Sequence, residues 1–374
     1  MSESVNDTRQ WCSRSSIPAI ELNQSVVFGG DPADKLVPVT INELSTLRTL
    51  SQASWSLANI KASDRVLVST IQEGGFPVAT GAEVIAPLCK AVSYAHPRGR
   101  LRLLQTIKAF KPTVWVTTPC AALDFLARLY MEFNIDPFEL GIEHIVLTGE
   151  VASKGAHKRL ADEFESTITD LYCDPVFGAA LAVRSQGKTH YGESGMLSLA
   201  SLVENTVLSD GLGLPSDTDE NAEIIVNFNN IEALNNITLR TGHVVAANQP
   251  TNLFHHTIGD HVLARGRWLS LPLFTKALKL IDGAQGWQLM VERGEGTLDR
   301  ITLKMGLNRD SLVSNPMWQA RIREAIVSVT PLTVNVDCFL LTADDPQLDS
   351  LVDDQRGHHL GNGSGLKASG GWPL

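Results

Sequence analysis

Ile142 to Gly178, IEHIVLTGEVASKGAHKRLADEFESTITDLYCDPVFG, is the stretch whose pattern decides the fold. Its apolar run Ile145-Val146-Leu147 is strand-sized and stops at the turn Thr148-Gly149-Glu150. An amphipathic segment up to Phe164 follows, then a second strand through Tyr172, and then the polar turn Cys173-Asp174-Pro175. Short buried strands separated by a helix-period segment read as one βαβ unit, which requires a parallel sheet. In open sheets of that kind ligands sit outside the carboxyl ends of the strands. Gly149 permits close backbone approach of a flat ligand, and Glu150 can receive its amine edge, so a nucleotide-type pocket is the first expectation. A Gly-Glu pair after a strand is also an ordinary turn.

The same rhythm extends upstream. Arg65 to Ser69 reads as a strand, Val78 to Leu88 and Leu101 to Phe110 as helices, Thr113 to Thr117 as a strand, and Ala121 to Phe133 as a helix. The turn Thr118-Pro119-Cys120 therefore joins the candidate ligand-facing loops. Downstream, the Gly/Pro/Asp loop from Leu208 to Asn221 breaks the pattern, and strands at Glu223–Phe228 and Asn236–Leu239 suggest a more antiparallel region. Beyond Leu253 the order is close to ββαββαβ, with helices at Leu273–Ile281 and Pro316–Val327. The expected fold is α/β: a large N-terminal domain with helix-covered, mostly parallel sheets, and a small C-terminal α+β lid. The expected divisions are a polar segment 1–24, the large domain 25–252, the lid 253–343 and a mobile Gly/Ser-rich tail 344–374.

Composition narrows the function. A chain of 374 residues with 43% hydrophobic and 19% charged residues can bury the cores of two domains. Its longest apolar runs fall far short of the ~20 residues of a membrane helix, and the polar start MSESVNDTRQWCSRSS has no apolar signal region, so a cytoplasmic place without membrane contact is expected. A formal net charge of −10 without a basic stripe argues against nucleic acid. The five cysteines are dispersed and never in C-x-x-C spacing, which suits reduced thiols and no zinc site. Gly187-Lys188-Thr189 ends like a Walker loop, but Ala182 stands where its first glycine belongs. His255-His256 and His358-His359 lack carboxylate or cysteine partners at ligand spacing and read as mobile surface residues.

Four further pieces share a pattern. The Thr148-Gly149-Glu150 turn, the run Asp170-Leu171-Tyr172-Cys173-Asp174-Pro175-Val176, the run Leu239-Arg240-Thr241-Gly242-His243, and Arg265-Gly266 followed by Pro272 stand in that order. Together they resemble the adenylate-forming (ANL) superfamily, and within it the phenylacetate-CoA ligases, over roughly Ser25 to Phe339. The resemblance implies that Gly149 and Glu150 contact adenine, that the Tyr172 ring stacks on it, and that Asp170, Asp174, Thr118 and Arg240 belong to the nucleotide or substrate site. It places Lys35, in Phe28-Gly29-Gly30-Asp31-Pro32-Ala33-Asp34-Lys35, on the phosphate side. Lys367 is the candidate for the C-terminal lysine that stabilises the transition state of adenylation. It also implies ATP with Mg²⁺ as cofactor, CoA or a carrier-protein thiol as acceptor, and a small-molecule carboxylate or its thioester as substrate.

Several positions depart from the family pattern. Val176 stands where a glutamate holds the metal, and a hard cation needs oxygen ligands. His243 stands where an aspartate accepts the ribose hydroxyls, and a neutral imidazole offers one acceptor at most. Asp31 and Asp34 repel phosphate by like charge. Two readings follow. One is an atypical adenylating enzyme of specialised, natural-product metabolism that activates an acyl or aryl carboxylate. The other is a degenerate, non-adenylating homologue that reuses the pocket, with Glu150, His243 and Asp174 as acid–base candidates, or that serves as a binding partner.

Overall fold

The computed structural model describes residues 9–18, 27–31, 35–70, 78–193, 195–212, 221–246, 254–293, 298–341 and 351–361. Strand His144–Thr148 is buried at every position, which matches a strand covered on both faces. It pairs in parallel with Val114–Thr117 on one side and with Thr167–Cys173 on the other. Arg65–Ser69 and Ala91–Tyr94 continue the parallel set, and Ala180–Ser185 and Lys188–Tyr191 close the seven-stranded sheet as antiparallel strands.

Helices cover this sheet because their apolar positions recur at helical spacing. Helix Lys154–Phe164 buries Ala156, Leu160 and Phe164 and begins at Ser153, whose hydroxyl accepts the Ala156 N–H. Trp115 lies at the centre of that layer, with Phe125 and Phe164 against its ring and its indole N–H donating to Ser69 Oγ at 2.6 Å. On the other face, helix Ile41–Ser56 opens with a capping box between Thr40 and Glu43. Its Ser51 and Ser54 hydroxyls bond the backbone of Ala180. The segment Val78–Leu88, expected as one helix, is divided into three short turns of helix, because Gly81 starts the middle one and Pro87 cannot extend it. Helix Pro119–Arg128 ends in a π-turn, Leu129–Phe133, instead of running straight to Phe133.

A second, six-stranded sheet is mostly antiparallel, as the downstream pattern suggested, and centres on the pairing of Asn221–Asn227 with Ile237–Ala246. The N-terminal strand Gln10–Ser13 adds to its edge in parallel beside Ile237–Arg240. A four-stranded sheet forms the small C-terminal domain, with the hairpin Ala284–Arg293/Asp299–Leu307 at its centre and helices Leu271–Leu278 and Pro316–Val327 packed on it. Its outer strands, Asn335–Leu340 and Val352–Asp354, run parallel to their neighbours. The second of these corrects the expected tail from residue 344: Val352 is buried, and its strand completes the small sheet. A Gly-rich composition further on hid this short apolar anchor.

Trp115→Ala is expected to lower the unfolding free energy by about 3–5 kcal/mol, through a cavity no neighbour can fill. Urea denaturation followed by circular dichroism reads this directly, and a cost below about 1 kcal/mol would contradict the central place given to this ring.

Candidate functional site

The turn after strand His144–Thr148 begins at Gly149, whose φ of +79° is strained for any residue with a Cβ. That left-handed step turns Glu150 toward the N-terminus of helix Pro119–Arg128, where its Oε2 accepts the Cys120 N–H at 2.7 Å. A carboxylate there satisfies an otherwise free helix-end donor. Thr118 caps the same helix by accepting the Ala121 N–H, and its side chain is buried. Thr118, Gly149 and Glu150 are thus brought together, as expected. Burial pushes the Glu150 carboxyl up to about 7, with Asp299 of the small domain adding to the rise and the Cys120 N–H, Arg293 and Arg356 opposing it. Cys120 is raised by the same burial and by Glu150.

Asp170 lines the adjoining cleft with Leu147, Gly149, Glu150 and Phe254. It is held by His157, whose Nε2 lies 2.8 Å from its Oδ1. The cavity volume there is about 10 Å³, room for roughly one water molecule. That is far below the roughly 300–1,000 Å³ of common ligand pockets.

Tyr172 and His243 face each other from different sheets, with the phenol oxygen 3.1 Å from His243 Nδ1. Both are buried. Phe254 packs 4.3 Å from the His243 ring centroid, and Trp268 of the small domain's first hairpin packs at 5.0 Å. Phe254 also touches the edge of Tyr172. Arg14, from the N-terminal segment, stands over Trp268 at 5.1 Å. Burial drives the His243 pKa down to about 3, and Arg14 adds to the fall. The imidazole is therefore neutral, and its one described ring contact through nitrogen is to the tyrosine.

Two expected site residues serve the scaffold instead. Asp174 accepts three backbone N–H groups, from Val176, Phe177 and Ala179, at 2.7–2.8 Å. Its carboxylate closes its own turn, with both oxygens bonded to backbone N–H groups. Burial still lifts its pKa to about 6 against those bonds. Arg240 is 1% exposed and forms a buried ion pair with Glu223. Its remaining N–H groups go to Asn205 Oδ1 and to the carbonyls of Ser201 and Glu204, and its guanidinium lies over Trp11. A guanidinium so saturated has no fork left for phosphate or carboxylate. Lys35 begins the strand Lys35–Val39, which pairs antiparallel with Val27–Asp31; residues 32–34 of the phosphate-loop stretch lie outside the described residues. Lys367 lies outside the described residues.

Residues that sequence spacing did not single out complete the site. Phe254, Trp268 and Arg14 come from three separate places in the chain, and no local motif marks any of them. Asp299 and Arg293, the pair that ends the small domain's long hairpin on its turn side, reach Glu150 and Cys120, with the Asp299 N–H donating to the Cys120 sulfur.

No family model matches the chain, and no curated protein matches it in sequence. Solved structures do resemble it. One is 2-hydroxyisobutyryl-CoA ligase in complex with 2-HIB-AMP and CoA in the thioesterification state, 13% identical over 91% of this chain and 75% of that chain, with a TM-score of 0.69. The open conformation of that ligase scores 0.54, at 12% identity over 94% of this chain and 83% of that chain. The Vibrio cholerae adenylation domain AlmE in complex with glycyl-adenosine-5'-phosphate scores 0.62, at 12% identity over 88% of this chain and 65% of that chain. The chain thus has the fold of the adenylate-forming enzymes, with a large N-terminal and a small C-terminal domain.

Among the described residues the donor set does not fit Mg²⁺–ATP. Val176 offers no side-chain oxygen, both Asp174 oxygens are taken by backbone N–H groups, and no cluster of metal-binding side chains occurs among them. His243 offers the ribose side an imidazole already bonded to Tyr172.

Two outcomes check this assignment. Arg240→Ala leaves Glu223 buried and uncompensated, so it should cost about 3–5 kcal/mol of stability by denaturant titration. A stable Arg240→Ala protein would return this arginine to the ligand site. For His243, the ordinary value of 6.5 falls to about 3 in the fold, so between these values the unfolded chain binds a proton that the native one refuses. Its contribution is complete above pH 6.5 and is lost as pH falls toward 3. His144, pushed down to about 4 by burial, adds to that loss, whereas the raised carboxyls of Glu150 and Asp174 oppose it. Urea midpoints of His243→Asn should therefore fall less steeply than those of the parent across this window; parallel curves would mean that the imidazole is not held neutral.

Proposed function

We propose that the chain is a non-adenylating protein of the adenylate-forming fold, which holds a carboxylic acid, or a thioester derived from one, at the cleft beside Gly149 and Glu150. The observation that carries this reading is the closed contact of Tyr172 with His243 and Phe254, with Trp268 packed on His243. The resemblance assigns two of these positions to adenine and ribose, and here they are bonded to one another in a buried cluster. A nucleotide would have to break a buried hydrogen bond and separate packed rings, with no carboxylate in exchange to hold its metal. Charge compensation at a triphosphate is a large electrostatic requirement, and neutral, buried groups do not supply it.

Glu150 gives the retained cleft its chemistry. A carboxyl with a pKa of about 7 sits near the working pH and can take or release a proton, which suits acid–base work on a bound acyl group without ATP. CoA or a carrier-protein thiol is the group that would carry a thioester ligand in this reading, and specialised metabolism of natural products is the setting that such departures from the family motifs suit. A second reading, in which the chain adenylates its acid, is favoured by one observation. Gly149, Glu150 and Asp170 still line one cleft, at the place the resemblance gives to adenine.

Calorimetry with Mg²⁺–ATP, followed by pyrophosphate release over a panel of aryl and short acyl acids, separates the two. Millimolar ATP should give neither heat nor a thermal shift, and no acid should elicit pyrophosphate. Some of the same acids, or their CoA thioesters, should raise the melting temperature, and Glu150→Gln should change the pH profile of that shift. Pyrophosphate release that disappears in Tyr172→Ala would establish adenylation and overturn the proposal.

A further inference from the structure

The last described residues of the chain cross back over the connection between the two domains. Strand Val352–Asp354 belongs to the small domain, where it pairs with Leu289–Val291. Arg356 follows and is anchored there, by Asp299 at 2.6 Å, by Asp354 at 2.8 Å and by the Leu263 carbonyl at 2.9 Å. Residues 357–361 then run beside His256 to Gly259, the segment that leads from the large domain into the small one.

Bonds along that course are regular. Thr257 N–H donates to the His358 carbonyl at 2.6 Å, Leu360 N–H donates to the Thr257 carbonyl at 2.8 Å, and Gly259 N–H donates to the Gly361 carbonyl at 2.9 Å. Side chains add three more contacts, His256 Nδ1 with the Gly357 carbonyl at 2.8 Å, Thr257 Oγ1 donating to the His358 carbonyl at 3.4 Å, and Thr257 Oγ1 with His359 Nδ1 at 3.1 Å. The opposite edge of the same connecting segment is bonded to the large domain's sheet. His243 pairs with Thr257 and Val244 with His256, and Ile258 N–H donates to the Gly242 carbonyl at 2.8 Å. Gly242 is required there, since a Cβ would lie 3.0 Å from the Ile258 carbonyl oxygen.

The connection is therefore held on both edges at once. A free linker could change its backbone angles and let the small domain swing, because hinges are a few residues that absorb large φ/ψ changes. Here those residues are strand-paired on one side to the large domain and on the other to a segment that Arg356 fixes to the small domain. Swinging the small domain requires the 357–361 pairing to break. At the far end of the interface the hairpin tip, through Asp299, meets Cys120 and Glu150. The overall match is also better to a ligase in its thioesterification state than to its open form, at TM-scores of 0.69 and 0.54.

We infer that residues 356–361 are a strap that locks the hinge and holds the two domains in one relative orientation, and that any reorientation of the small domain begins with its release. This inference does not depend on which ligand the cleft takes. It identifies the Thr257–Leu360 pairing as the point of control.

The test uses the full chain and Leu360→Pro, which removes the N–H that bonds the Thr257 carbonyl while sacrificing little packing, since Leu360 is 42% exposed. Dyes are attached without cysteine chemistry at positions 131 and 280, both exposed and in different domains, and single-molecule energy transfer is read alongside amide exchange. The parent should give one transfer population and slow exchange at Thr257, Gly259 and Leu360. Leu360→Pro should add a second population and speed exchange at Thr257 and Gly259 by at least about tenfold. Amides of the hairpin 284–293 and 299–307 should stay protected, which shows the small domain intact. If that hairpin also loses protection, Thr257→Val, which deletes the hydroxyl bonds to His359 Nδ1 and the His358 carbonyl and leaves the backbone pairing in place, is read in the same way and should give a smaller second population. A parent that already shows two populations overturns the inference, as does a freed strap with a single unchanged population.

Discussion

The hydrogen bond between Tyr172 and His243 joins parts of the chain that have little else in common. Tyr172 ends a strand of the parallel sheet, His243 lies on the central strand of the second sheet, and Trp268 brings the small domain's first hairpin against them. Phe254 fills the space between, and the result is a buried, aromatic cluster where the family resemblance leads one to expect a charged site. An unpaired phenol or imidazole at this depth would be costly, so each fixes the other, and through them the two sheets keep one relative position. The Gly149–Glu150 turn and the hinge both border this cluster, which makes it the constraint on which cleft shape and domain arrangement depend.

Polar residues elsewhere follow the same inward turn. Arg240 and Glu223 form a closed pair under Trp11, and Asp174 spends its oxygens on its own turn. Glu150 differs, since it caps a helix at the border of a cleft that remains open to solvent. Its raised pKa follows from burial beside Asp299, so the small domain tunes a carboxyl that lines the cleft with Asp170.

Much of the fold was legible in the chain. The buried strand His144–Thr148, the helix Lys154–Phe164 and the strand Thr167–Cys173 were marked by periodicity, because a parallel strand must be apolar on both faces and its covering helix on one. The site was less so. Arg240 and Asp174 stand in the right order and were read as ligand-facing, yet spacing does not tell which way a polar side chain is satisfied. Their actual partners, Glu223, Asn205 and a local turn, are ordinary residues without a motif. His358 and His359, taken as surface residues of a loose tail, are part of the hinge strap, with burial lowering both to about 4.

By itself the sequence determined the strand and helix order, the turns at strand ends and the absence of a carboxylate at Val176, since each follows from local pattern or residue chemistry. Only the tertiary structure decided that Tyr172 bonds His243, that Arg240 is saturated, and that residues 357–361, beyond the last described strand, return to pair with the segment 256–259. Those outcomes depend on which distant groups meet in the folded chain, and the contact between positions 172 and 243, or 257 and 360, has no local signature to be read.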